Sequence, residues 1–234
     1  MLLLLLIPLS SAISTTMLPA YRPGETMIVE IVGNILEPIS LSDVVFKRAH
    51  VAIAVNYDVK RIGSKYYLYA QMPVSQNNYT LFINGIATTV NGAVTTVNYN
   101  QTFTVSGNIS EYSVSPGFAI VANNLALTVI SNIDQPITIN LNFPQEQAIT
   151  LQPGINTIQL STASTPQGIY TATVGKYSLP IQVLSSPQQN ASQNIMIQVS
   201  PKAITRIVLE NKPASYIFKI TNDGSSTADN LVFS

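Results

Sequence analysis

Few residues in this chain have the types and spacing that chemistry asks for. His50 is the only histidine and there is no cysteine. The side chains that most often serve as base, nucleophile or metal ligand near neutral pH are therefore almost missing. His50 would need partners for either task, and its neighbours Lys47 and Arg48 would repel a cation. The carboxylates are scattered over Asp43, Asp58, Asp134, Asp223, Asp229 and six glutamates. No two of them stand out as the acid and base of a glycosidase. Asn222, Asp223, Asp229 and Asn230 could offer oxygen ligands to Ca²⁺, but no EF-hand spacing is present and turn chemistry explains the same residues. The expectation is a chain with no catalytic residue, no cofactor and no metal site, and not an enzyme.

Two other sets of residues could touch ligands. Tyr57, Tyr66, Tyr67 and Tyr69 cluster, and exposed rings there would stack on sugars. Strand alternation puts Tyr66 on the opposite face from Tyr67 and Tyr69, which favours cross-strand packing. Asn78, Asn100, Asn108 and Asn190 each begin an N-x-S/T sequon, so all four are candidate glycosylation acceptors. In a chain this rich in Asn, Ser and Thr, that number is also expected by chance.

Composition narrows the setting. Eleven basic and eleven acidic residues cancel, so no basic field exists to recruit nucleic acid. Charged residues make up 9% of the chain, against about 25% in ordinary soluble domains. Asn, Gln, Ser, Thr and Tyr replace them, giving a surface that hydrates without depending on ionisation. Without disulfides, the fold must rest on apolar burial and backbone ladders. Residues 1–9 read MLLLLLIPL, followed by Ser10, Ser11 and Ala12. An apolar run before small residues has the form of an export signal, with cleavage after Ala12 or a few residues later, although no Lys or Arg precedes the run. The run is too short to span a bilayer, which takes about 20 residues. The first segment is accordingly read as a signal peptide over 1–17, and the location as extracellular or cell-surface.

The elements beyond it are strands. Met27, Val29 and Ile31 alternate with polar or second-face residues, as do Val51, Ile53 and Val55, then Tyr66, Leu68 and Ala70, then Tyr79, Leu81 and Ile83. Asn84-Gly85 and Asn91-Gly92 are hairpin signals, because both central residues of a type I′ turn need positive φ. Residues 93–98 and 101–106 read as a further hairpin. Residues 112–117, YSVSPG, read as a linker. Beyond them Leu125, Leu127 and Val129, then Ile137, Ile139 and Leu141, then Ile158 and Leu160, then Tyr170, Ala172 and Val174, then Ile181 and Val183 mark the strands of a second sandwich. Residues 185–192 form a second linker by composition. Fourteen prolines leave no helix of ordinary length. The fold class is all-β: a β-sandwich domain over 18–111, an Ig-like sandwich over 118–185, and an incomplete third domain over 193–234, with about four strands where about seven are needed.

FKITNDGSSTADNLV at 218–232 resembles the Ig-like repeats of archaeal S-layer-type and CARDB/NEW3-type extracellular surface proteins, in which a strand ending in N-x-G is followed by a small residue and an apolar strand. YRPGETMIV at 21–29 resembles the first strand of such a domain or of a macroglobulin-type domain. Tyr170, two residues before Ala172, resembles the tyrosine of the Ig tyrosine corner, with Ala172 where a disulfide cysteine would stand. Tyr79 fits the same role in the first segment. The resemblance implies tandem Ig-like domains in a secreted or surface-anchored structural or adhesion protein, with envelope proteins or glycans as partners. The alternative is the accessory, carbohydrate-binding part of a secreted enzyme whose catalytic domain lies elsewhere.

Overall fold

The computed structural model describes residues 13–185, 197–200 and 219–222, and their regular secondary structure is strand apart from one short 3₁₀ turn. In the first sandwich the strands are β1 (Ile13–Thr15), β2 (Ala20–Tyr21), β3 (Thr26–Gly33), β4 (Val44–Arg48), β5 (Val51–Ala52), β6 (Tyr57–Ile62), β7 (Lys65–Gln71), β8 (Asn77–Val90) and β9 (Ala93–Val105). One sheet runs β1-β3-β7-β6 and the other β2-β9-β8-β4-β5. The inward residues are those the alternation picks out. Met27, Val29, Leu68, Ala70, Leu81 and Ile83 are fully buried and share one core with Phe46, Phe103 and Val105. All the pairings are antiparallel except that of β2 with β9.

In the second sandwich the strands are β10 (Tyr112–Ser115), β11 (Ala119–Val121), β12 (Asn124–Ser131), β13 (Ile137–Leu141), β14 (Gln147–Leu151), β15 (Gly154–Ser161), β16 (Gly168–Val174) and β17 (Tyr177–Val183). Sheet β10-β12-β15 faces sheet β11-β17-β16-β13-β14 across a second core built on Leu127, Val129, Leu141, Leu151, Val174 and Leu179. Here β11 pairs with β17 in parallel. Residues 187–234 form a separate unit, in which β18 (Ile197–Ser200) pairs antiparallel with β19 (Lys219–Asn222). The rest of the expected third domain, including Asp223, Asp229 and Asn230, and most of the linker at 185–192, lie outside the described residues.

Both tyrosine corners form. The Tyr79 hydroxyl donates to the carbonyl of Ser75, and the Tyr170 hydroxyl to that of Pro166, each at 2.8 Å and four residues upstream. Each pins a strand start to the loop before it, while Leu81 and Ala172, two residues on, enter the core.

One hairpin forms as its residues predict, and several other local expectations are corrected. Asn91-Gly92 makes the hairpin between β8 and β9, with both φ angles positive, at 50° and 80°. Asn84-Gly85 makes no turn: only Gly85 has positive φ, and the pair sits in mid-strand where the register slips between Ile83 and Ile86. A glycine in the left-handed region serves a bulge as well as it serves a hairpin. The two strands expected over 93–98 and 101–106 are one, β9 (Ala93–Val105), which closes the first sandwich. The alternation at 51–55 yields only the two-residue β5, whose Val51 is 65% exposed. The YSVSPG stretch is no linker: Tyr112, Ser113 and Val114 are buried in β10.

Candidate functional site

The residues singled out for chemistry do not converge. His50 is exposed at the β4–β5 turn, beside Ala49 at φ 52°. Asp43 ends a one-turn 3₁₀ helix (Leu41–Asp43), where its carboxylate accepts from the Ser40 N–H at 2.8 Å. Asp58 makes a loose 3.8 Å ion pair with Lys60. Among the described residues no three His, Asp or Glu side chains gather as metal ligands. The tyrosine cluster also disperses. Tyr66 enters the first core, Tyr57 packs on Phe46 with ring centroids 5.5 Å apart, and Tyr67 donates to Glu30 at 3.3 Å. Asn78, Asn100 and Asn108 lie exposed. The Asn78 amide oxygen accepts from Thr104, and Ser110 of the third sequon is fully buried. Asn190 lies outside the described residues.

Tyr69 leads to the feature that the sequence did not announce. It stands on the outer face of its sheet, yet it is 8% exposed because the second sandwich covers it. Phe118 meets it edge to face at 5.3 Å, with Ile62 and Ile28 alongside. The backbone at Gly117 passes so close that a Cβ there would lie 2.4 Å from that of Tyr69. Proline and glycine at 116–117 have the composition of a linker, but the glycine serves close approach.

Beside this apolar contact lies a polar one. Thr26 begins β3 and is 3% exposed. Its hydroxyl donates to the carbonyl of Val114 at 2.8 Å and accepts the Val114 N–H at 2.9 Å. It thus occupies both backbone groups that Val114 of the edge strand β10 turns away from β12. The Tyr177 hydroxyl accepts the Thr26 N–H at 3.3 Å and donates to the carbonyl of Tyr112 at 2.8 Å. The Tyr112 ring meets that of Tyr177 edge to face at 5.5 Å, and its hydroxyl accepts the Lys176 N–H at 2.7 Å. A Cβ on Gly175, at φ 57°, would fall on that hydroxyl.

The Lys176 ammonium closes the set, at 2.8 Å from Glu25 and 2.9 Å from the Ser110 hydroxyl. The Glu25 carboxylate also accepts the Arg22 N–H, which holds the Pro23-Gly24 turn in place. Burial works to lower the Lys176 pKa, but its bond to Glu25 and the neighbouring Tyr177 leave it raised. Burial raises that of Tyr112. Buried networks of this kind, with each member bonded, rigidify what they join. The chemistry of this junction is cohesion.

No family model matches the sequence, and no curated protein matches it. Solved structures with similar folds include a chimeric titin Z1Z2 functionalised with a KLER peptide from decorin, 14% identical over 74% of this chain and 97% of that one, at a TM-score of 0.24. Another is the Bacteroides ovatus mixed-linkage glucan utilization locus protein SGBP-B in complex with a mixed-linkage heptasaccharide, 16% identical over 71% of this chain and 43% of that one, at a TM-score of 0.24. A third is native alpha-2-macroglobulin from Escherichia coli spanning domains MG0-NIE-MG1, 11% identical over 80% and 72%, at 0.30. The tandem Ig-like assignment stands on the sheet order, the two cores and the tyrosine corners.

Proposed function

We propose that the chain is a non-catalytic structural or adhesive module of an exported, surface-displayed protein, in which the first two sandwiches act as one stiff element. The observation that carries this reading is the buried Thr26–Val114–Tyr177–Tyr112 junction, because a flexible tether would not need a solvent-excluded polar network. The scarcity of charge and the likeness of residues 218–232 to S-layer-type and CARDB/NEW3-type repeats support an envelope setting. No helix among the described residues is long and apolar enough to cross a membrane.

An export signal fits this reading if it is cut after Ala12. Ile13 and Met17 are buried, and β1 pairs with β3, so a cut after Met17 would strip a strand from the sheet. Amine-terminal sequencing of the exported protein should therefore begin at Ile13.

The stiffness is tested by residual dipolar couplings of the purified protein. One alignment tensor should fit the amides of both sandwiches. Two unrelated tensors, from sandwiches reorienting independently, would overturn the proposal.

A further inference from the structure

We propose that a cleft along β13 of the second sandwich binds a neutral oligosaccharide. The cleft exists because the sheet opens there. Strand β13 pairs with β16 at a single position, Leu141 with Val174, whereas β16 and β17 pair along seven residues. At Asn142 the backbone N–H still donates to the Thr173 carbonyl at 3.3 Å, and the side chain adds two bonds: its amide oxygen accepts the Thr173 N–H at 2.6 Å and its amide nitrogen donates to the Thr173 hydroxyl at 3.2 Å. The two strands overlap only at their ends, and the gap beyond is lined by side chains.

Two hollows of about 430 and 710 Å³ meet at Asn142 and Gln147, and a third of about 560 Å³ adjoins at Asn140. Each is of the size of small-ligand sites, ~300–1,000 Å³, and their row suits a chain of units more than a single one. The lining is mainly amide, hydroxyl and apolar. Among the described residues the side chains of Asn140, Gln147 and Gln159 have no protein partner, although each amide offers two donors and an acceptor. That pairing of donor with acceptor suits sugar hydroxyls, which need both. Tyr170 adds a ring fixed at both ends, by its hydroxyl bond to Pro166 and by Phe143 at 5.4 Å, so little freedom is lost on stacking. Glu146 is the only charged residue lining the 430 and 710 Å³ hollows, and Glu111 the only one lining the third, so no cation faces the cleft and an anionic ligand is disfavoured. This inference is independent of the inter-sandwich junction.

The test is an amide NMR titration of the exported protein with five neutral hexasaccharides (cello-, malto-, xylo-, manno- and chito-) and with an anionic control, oligogalacturonate. At least one neutral glycan should shift amides at 140–147 and 170–173 with saturable, millimolar affinity. Asn140→Ala with Gln147→Ala should weaken it at least about tenfold while other amide positions stay put, since neither side chain braces the fold. Thr26→Val should leave the affinity unchanged, which separates this inference from the stiffness proposal. No saturable shift with any neutral glycan, stronger binding of oligogalacturonate, shifts centred elsewhere, or full affinity in the double variant would each overturn it.

Discussion

Thr26→Val is the sharpest probe of the junction. Valine matches threonine in shape, so packing is kept and only the hydroxyl goes. That hydroxyl bonds both the N–H and the carbonyl of Val114, a residue with no exposed surface. In the variant both groups lose their partner in a dry place. Each buried unsatisfied group costs about 1–3 kcal/mol, and some relaxation recovers part of that, so the expected loss is about 2–4 kcal/mol. For a unit of this size, with ~2–4 °C per kcal/mol, the melting temperature should fall by roughly 5–15 °C. Differential scanning calorimetry of the purified protein gives both the shift and its shape, and the sandwiches should separate into two transitions as their coupling weakens. Thr26→Ser keeps the hydroxyl and loses a methyl, so it should cost only about 1 kcal/mol. A Thr26→Val protein that melts within about 1 °C of the parent, in one transition, would refute the reasoning.

Three further outcomes follow from the same geometry. Gly117→Ala forces a methyl to within 2.4 Å of the Tyr69 Cβ, and should lower stability by about 1–3 kcal/mol, read from the urea midpoint. An unchanged midpoint would mean that the backbone there is free to retreat. Tyr79→Phe removes the bonds to the Ser75 carbonyl at 2.8 Å and the Ser75 hydroxyl at 2.7 Å, and should cost about 1–2 kcal/mol in chemical denaturation, without loss of the near-ultraviolet signal of the core. Stability should also fall in alkali. Burial pushes the Tyr21 phenol up to about 12, so between about pH 10 and that value the unfolded chain binds fewer protons than the folded one, and up to about 2–3 kcal/mol is lost as pH rises. Lys176, whose raised pKa stabilises the fold while it is charged, loses that contribution as pH climbs through the raised value. Midpoints that stay flat from about pH 9 to about pH 12 would contradict both signs.

Much of the fold was legible because burial follows local periodicity. Met27, Val29 and Ile31, or Leu125, Leu127 and Val129, alternate, and alternate residues reach the core. Tyr79 and Tyr170 were legible for the same reason, since a corner needs only a tyrosine near a strand start and a loop four residues back. The misreadings share a cause as well. A glycine with positive φ is compatible with a hairpin or a bulge, and the choice between them for Gly85 is made by the partner strand. The YSVS of β10 alternates, but Pro116-Gly117 after it has the composition of a linker, and only the position of Tyr69 reveals why glycine is needed. Tyr69 itself reads as an outward residue, because the surface that covers it belongs to the other sandwich. The β13 cleft lies where β13 and β16 overlap at a single position, and nothing in the linear spacing signals that.

The two parallel pairings have a mechanical consequence. In the first sandwich β2, near its beginning, lies parallel to β9, its last strand; in the second, β11 lies parallel to β17. Tension applied to the ends of either sandwich pulls the members of its pair in opposite directions along their own axes. The hydrogen bonds between them are then loaded together, in shear, instead of opening one at a time from a frayed end. Strand β1, antiparallel to β3 and ahead of β2, would peel first and leave the shear pair to bear the force. Joined through Tyr69, Gly117 and Thr26, the sandwiches would meet a pull as two resistant links in series, with little slack between them.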